Sequence, residues 1–422
     1  MMSTEPRALR RIALVTHGYS IGGGVPSVAR WLRDGLEATG QYSVDVHDLA
    51  TSSRDAQSRR ISAPATWLRR SMKKVAENGH REVSWGANAV ELEFMRYLPR
   101  PELTRALGEY DLVQVVAGGP AWALAASQCR VPVVLQVATL ASWERRSQLT
   151  AAAAPLRAWR TAMTRVTSAA ERSALRKVAA VLVENQVMLD RLDPLCQAPV
   201  YRAPPGVDTT VFSPSVRGWR ADGHVLSVCR LGDPRKGLDR TVGAYAEMAR
   251  RLPDVPRLVL AGRGGIQRTV SDLISSIGLS DRVFVCADVE RGRLVELYRN
   301  ASVFLQTSHE EGLGLSVLEA MSCGLPVVAT ETAGSRETIV HGATGWLVPQ
   351  GPLPSVASAM ADRAVELLGG SGEGFGLAAR NRCLDTFATP VAIGRIICAY
   401  DTILSAATMP DREPKIECRA SR

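Results

Sequence analysis

A chain of 422 residues, 46 % hydrophobic and 22 % charged, is long enough for two domains that each bury a core. No stretch approaches the ~20 apolar residues of a membrane span, no hydrophobic leader precedes the first strand, and the eight cysteines form no C-x-x-C pair; a reduced, cytoplasmic protein without zinc is expected. Of the net charge of +9, residues 1–213 hold +8, which predicts an anionic partner for that half, and no aromatic-interleaved basic patch marks that partner as nucleic acid.

In chain order, residues 10–18 (RRIALVTHG) read as a buried strand. Gly22-Gly23-Gly24 then turns the chain into an amphipathic helix opened by Pro26 and reaching Thr39. Residues 42–49 form the second strand. The basic stretch 59–77, with Trp67, Leu68, Met72 and Val75 among six Lys and Arg, reads as an amphipathic helix. Strands follow at 111–117, 131–138 and 179–185. Between the last two, residues 143–177 form a second basic helical stretch, with eight cationic residues against Glu144 and Glu171. Clustered Pro and Gly in 203–214 break both periodicities and mark a domain boundary. The second half begins a new cycle, with strands at 224–231, 257–262, 283–287, 301–308 and 326–330. Their short apolar runs suit strands covered on both faces. Three helices follow Gly345-Trp346-Leu347-Val348. This alternation is the pattern of a parallel α/β architecture with domains at 1–213 and 214–390. A helix at 391–408 is expected to pack back on the first domain, ahead of a disordered tail at 409–422.

The densest chemistry lies in 308–330. A strand delivers Glu311 to a loop, and the turn Gly312-Leu313-Gly314 exposes backbone amides. A helix starting near Leu315 carries Glu319 eight positions after Glu311. A helix N-terminus favours an anion, and carboxylates accept hydrogen bonds from sugar hydroxyls. Arg230 and Lys236 follow the first strand of the second half, at the strand ends where open α/β sheets bind ligands. Two cations beside a helix N-terminus suit a diphosphate, which Arg230 can hold in bidentate fashion. Solvated loop charges are the competing reading for either one alone. Gly22 and Gly23 resemble a phosphate turn but match neither G-x-G-x-x-G nor a Walker loop.

The ordered set of a glycine turn, R-L followed by K-G, E-G-x-G-L-x-x-x-E-A-x-x-x-G-x-P-V-V-A and G-x-x-G-x-L-V-P resembles glycosyltransferase family 4. The resemblance is specific from about Arg230 to Pro349. It implies the GT-B fold, two Rossmann-like domains facing across a cleft, and retaining transfer of a hexose-type sugar from a nucleoside-diphosphate sugar, without a metal or further cofactor. By the same resemblance Arg230, Lys236 and Glu311 are catalytic: the two cations hold the diphosphate, and Glu311 meets the donor sugar. Glu319 accepts from the ribose. Gly312, Leu313, Gly314, Leu315 and Ser316 line sugar and phosphate, Gly22 and Gly23 approach the pyrophosphate, and Arg263 borders the base with Gly262, Gly264, Cys286 and Ala287. One departure stands out. The fourth strand ends in Ala138-Thr139, and the third in Val116-Ala117-Gly118, where many members place a histidine. His17 and His47 read as core or rim residues instead.

The acceptor is expected at the first domain. Its two basic segments suit a lipid-linked or cell-envelope glycan at the inner membrane face, and an ordinary solvated face explains them as well. Two other readings share the fold: a silent sugar-nucleotide-binding subunit of a glycan-assembly complex, and a nucleotide-sugar epimerase.

Overall fold

The structure, a computed structural model, describes residues 9–21, 23–52, 55–68, 72–77, 80–145 and 154–408. Gly22, Arg146 and the tail 409–422 lie outside the described residues. The chain divides into two compact units. One runs to Ala203 and takes up the chain again from Ile393; the other is Pro204–Ala392.

The first unit is built on an eight-stranded sheet in the order β3-β4-β2-β1-β5-β6-β7-β8. Its strands are β1 (Arg10–His17), β2 (Tyr42–Leu49), β3 (Met72–Glu77), β4 (His80–Trp85), β5 (Leu112–Ala117), β6 (Val133–Val137), β7 (Ala180–Val183) and β8 (Val200–Arg202). All pairs are parallel except β3 with β4. The helices are α1 (Gly24–Ala38), α2 (Pro101–Leu107), α3 (Ala141–Glu144), α4 (Ala154–Leu175) and α5 (Gln186–Leu192). Pro26 falls inside the first turn of α1, where no intrahelical bond needs its missing N–H.

The helix expected over 59–77 does not form. Residues 64–66 make a single 3-10 turn led by Pro64, and Met72–Glu77 is the outermost strand, paired antiparallel with β4. Exposed Lys73 and Lys74 there discourage edge-to-edge pairing with another chain. The stretch 143–177 is helical over α4. Its face leaves Trp159 62 % and Leu156 46 % exposed beside exposed Arg157 and Arg165.

The second unit carries a six-stranded, wholly parallel sheet in the order β11-β10-β9-β12-β13-β14. These strands are β9 (His224–Arg230), β10 (Leu258–Arg263), β11 (Val283–Ala287), β12 (Ala301–Gln306), β13 (Val327–Thr330) and β14 (Trp346–Val348). Its helices are α6 (Leu238–Arg251), α7 (Arg268–Ser276), α8 (Arg291–Arg299), α9 (Leu315–Ser322), α10 (Ala333–Thr338), α11 (Leu353–Glu366) and α12 (Gly372–Arg382). A last helix, α13 (Thr389–Thr408), begins in this unit and continues into the first. Successive strand residues enter opposite cores: Leu226, Phe304 and Val327 pack on one face, Val225, Leu305 and Val328 on the other. Both faces are covered, which is why the strands read as unbroken apolar runs. β11 departs from that expectation, because at the sheet edge Phe284 and Val285 are each 41 % exposed.

Candidate functional site

The C-terminal ends of the second sheet collect the charged residues singled out in that half. β9 ends on Arg230 and β10 on Arg263, and the two are register partners on neighbouring strands. The Arg230 side chain is 56 % exposed and stands 3.8 Å from Asp233 Oδ2. Asp233 in turn caps the short helical turn Pro234–Lys236, accepting from the Arg235 N–H at 3.0 Å. That cap aims Lys236 at the loop after β12, where its Nζ donates to Glu311 Oε2 at 2.7 Å. Gln306 Nε2 and Ser308 Oγ approach the same oxygen, each at 3.3 Å. Among the described residues Glu311 Oε1 takes no hydrogen bond, so one oxygen is clamped and the other is left for a ligand.

The two loops are tied together away from the charges. The His309 N–H donates to Arg235 O at 2.8 Å, Thr307 Oγ1 donates to Gly237 O at 2.8 Å, and the Thr241 and Thr307 hydroxyls lie 2.6 Å apart. From below, Thr330 Oγ1 donates to Ser308 O at 2.7 Å, Ser335 Oγ to Thr330 O at 2.8 Å, and Gln350 Nε2 to Ser308 O at 3.0 Å. Such buried, satisfied networks hold a loop in one geometry.

The glycine turn depends on two positions. Gly314 caps α9 at φ 88°, ψ 62°, the left-handed region that side chains disfavour. Gly334, in α10, lets two backbones meet: its N–H donates to Glu311 O at 2.9 Å, and a Cβ there would lie 2.7 Å from Leu313 N. With the turn so fixed, the first-turn amides of α9, around Leu315 and Ser316, are those no intrahelical carbonyl reaches. Glu319 follows one turn later, half-buried, with Oε2 accepting from the Tyr298 hydroxyl at 2.8 Å. Burial pushes the Glu319 carboxyl up to about 7, against the Tyr298 hydrogen bond and the charge of Arg291, which pull it down.

Around Arg263, the Gly264 N–H donates to Asp288 Oδ1 at 3.0 Å and the Asp288 N–H to Gly262 O at 2.6 Å. Asp288 sits at φ 49°, a region Asp tolerates better than most residues. This clip fixes the turn 262–264 beside Cys286 and Ala287 at the end of β11.

In the first unit Gly23 caps α1, and the turn before it is anchored by Asp48, which accepts from the Tyr19 N–H at 3.1 Å. Burial pushes the Asp48 carboxyl up to about 6. His17 ends β1 with its ring stacked on Trp122 at 4.3 Å, and burial holds it neutral, down at about 4. His47 is core: Trp85 Nε1 donates to its Nδ1 at 3.0 Å, and its Nε2 lies 3.2 Å from Tyr110 Oη. Beside Ala138 and Thr139 the fold brings in a carboxylate instead of a histidine. Glu171, 4 % exposed on α4, accepts from the Ala141 N–H at 2.9 Å, and a Cβ on Gly119 would stand 3.0 Å from its Oε1.

Sequence reasoning therefore missed Tyr298 and Gly334, which reach Glu319 and Glu311 across long sequence separations.

Residues 220–367 match the family described as Glycosyl transferases group 1. A D-inositol 3-phosphate glycosyltransferase of Kribbella flavida is 29 % identical over 393 residues, covering 86 % of this chain and 90 % of that protein. Shorter matches join the chain to a D-inositol 3-phosphate glycosyltransferase of Mycobacteroides abscessus, 35 % identical over 42 % of this chain and 40 % of the relative. A GDP-mannose-dependent alpha-(1-6)-phosphatidylinositol monomannoside mannosyltransferase of Mycolicibacterium smegmatis is 32 % identical over 38 % and 45 %. In these last two cases the match spans less than half of the relative. Among solved structures, sucrose-phosphate synthase from Thermosynechococcus elongatus superposes with a TM-score of 0.70 at 20 % identity, over 94 % of this chain and 100 % of that one. Anabaena HepE in complex with UDP and glucose gives 0.66 at 16 %, over 93 % and 99 %. The shared fold is GT-B.

Proposed function

We propose, from the match of residues 220–367 to the group 1 glycosyl transferases, that the chain moves a hexose-type sugar from a nucleoside-diphosphate sugar to a hydroxyl acceptor, retaining the anomeric configuration. The observation that carries this reading is the convergence of Arg230, Lys236, Glu311 and Glu319 on one strand edge beside the α9 N-terminus.

In this reading Arg230 and Lys236 take the diphosphate and stabilise the departing charge as the glycosidic bond breaks. Preorganised charge of this kind is usually the largest catalytic contribution. Glu311 turns its free oxygen to the donor sugar. Gly312, Leu313, Gly314, Leu315 and Ser316 line sugar and phosphate, Glu319 takes the ribose, and Arg263 with its clipped turn borders the base. The acceptor hydroxyl attacks from the face the diphosphate leaves, and a diphosphate oxygen takes its proton; the reading invokes no metal.

The first unit takes the acceptor. Its excess of positive charge and the names of the relatives, built on inositol phosphate or phosphatidylinositol, support an anionic polyol, free or lipid-linked. The basic, tryptophan-bearing face of α4 supports seating on an anionic membrane surface. No helix among the described residues is long and apolar enough to cross a membrane.

The test has two stages. Thermal stabilisation by UDP, GDP, ADP and dTDP identifies the donor class; a ligand at roughly 100 times its dissociation constant adds about 2.7 kcal/mol. Transfer is then assayed with the matching nucleotide sugars and with inositol phosphates or phosphatidylinositol vesicles. Binding without transfer to any acceptor supports the silent subunit, conversion of the nucleotide sugar alone supports an epimerase, and no binding at all overturns the proposal.

A further inference from the structure

We infer that Tyr298 is a positioning residue for the nucleotide site, holding one oxygen of Glu319 so that the other faces the vicinal hydroxyls of the ribose. The inference rests on the donor reading above and adds a residue to it. Tyr298 is fully buried in α8, its ring between Phe212 at 5.8 Å and Phe304 at 5.9 Å. The ring has no room to swing, so the direction of its O–H is set by the core. That hydroxyl is 2.8 Å from Glu319 Oε2 and 3.3 Å from Ser316 O. Its single hydrogen goes to the nearer acceptor, the Glu319 carboxyl oxygen.

The Glu319 carboxyl takes no other hydrogen bond among the described residues, so Oε1 is the atom available to a ligand. The arrangement repeats that of Glu311, where Lys236, Gln306 and Ser308 all address Oε2. Both carboxylates are tethered by one oxygen and present the other. A carboxylate free to rotate would spread its acceptor direction over several rotamers and lose part of the energy of a two-hydroxyl contact. Tyr298 removes that freedom from inside the core, at a position the nucleotide never touches.

The experiment measures a ratio. For whichever of UDP, GDP and ADP binds the wild type best, calorimetry gives its affinity relative to that of its 2′,3′-dideoxy analogue. Tyr298→Phe, which keeps the packing and removes only the hydroxyl, is expected to reduce this ratio about tenfold, the worth of one hydrogen bond to a charged group. Affinity for inorganic pyrophosphate should stay at the wild-type value. Glu319→Gln should reduce the ratio likewise, and adding Tyr298→Phe to it should reduce it no further. Tyr298→His, which restores a donor, should recover part of the effect.

A folded Tyr298→Phe protein with the wild-type ratio overturns the inference, as does equal weakening of nucleotide, dideoxy analogue and pyrophosphate, the mark of a merely structural role. Should Tyr298→Phe not fold, the wild type still decides. The hydroxyl proton resonance of Tyr298 should move on binding the ribonucleotide and not the dideoxy analogue; equal movement with both overturns the assignment. Failure of every nucleotide to bind the wild type overturns the donor reading itself.

Discussion

Arg230 and Lys236 carry the same charge into different surroundings. The Arg230 side chain is more than half exposed, whereas the Lys236 side chain is 21 % exposed and its ammonium is paired with Glu311. Arg230→Ala should therefore lower kcat/KM by about 10²–10³-fold with an unchanged melting temperature. Lys236→Ala should cost as much in rate and also destabilise, because it leaves Glu311 half-buried without its cation. Steady-state rates and thermal melts of the two variants check this; near-wild-type rates would remove both from the mechanism. Glu319 gives a pH signature of unusual sign. Its carboxyl titrates near 7 in the folded chain, above its ordinary value of 4.5. The folded state thus binds the proton more tightly than the unfolded state, and this group's stability contribution is largest below about 4.5 and declines as pH rises to about 7. The difference in unfolding free energy between wild type and Glu319→Gln should slope downward by up to ~1.4 kcal/mol per pH unit across that window. A flat difference would show that burial does not shift the carboxyl.

The loop 306–314 is a product of several elements, and its weakest point is a glycine outside it. Gly334→Ala places a methyl 2.7 Å from Leu313 N and 2.8 Å from Gly312 C, so the turn must move or α10 must retreat. Overpacking of this kind costs about 1–3 kcal/mol. Thermal melts should show that loss, together with a smaller stabilisation by the nucleotide that binds the wild type. A variant that melts lower but keeps full nucleotide response would separate the buttress from the site. The glutamates, the glycine turn and the helix after it were legible because they are contiguous and each residue type has a local reason to be there. The supports under them, Thr330 and Gln350, were not, because they act from 22 and 42 residues away through hydrogen bonds that no periodicity records. Residues 72–77 failed for a related reason. Their basic, apolar-studded composition suits a helix face, yet pairing with His80–Trp85 makes them a strand.

Across the chain, charge is the feature with the longest reach. The first half carries +8 of the net +9, and α4 exposes Trp159 and Leu156 among arginines. Sedimentation with vesicles containing anionic phospholipid should show binding that weakens as salt rises, since screening shortens to ~8 Å at physiological ionic strength. Arg157→Glu with Arg165→Glu should abolish it, and equal binding to neutral vesicles would argue against an electrostatic surface. Strand positions, the parallel α/β class and the acid and basic motifs follow from residues near one another in the chain, because apolar runs, glycine turns and helix starts are local responses to backbone sterics and burial. Neighbour relations do not. Nothing in the runs at 224–231 and 257–262 says that Arg230 and Arg263 end side by side, that β3 closes the first sheet as an antiparallel edge, or that Tyr298 reaches Glu319. Strands buried on both faces look alike in sequence. Their order is set only when crossover helices bury their apolar faces against the sheet, and that packing places the core tyrosine and the buttressing glycine against the site.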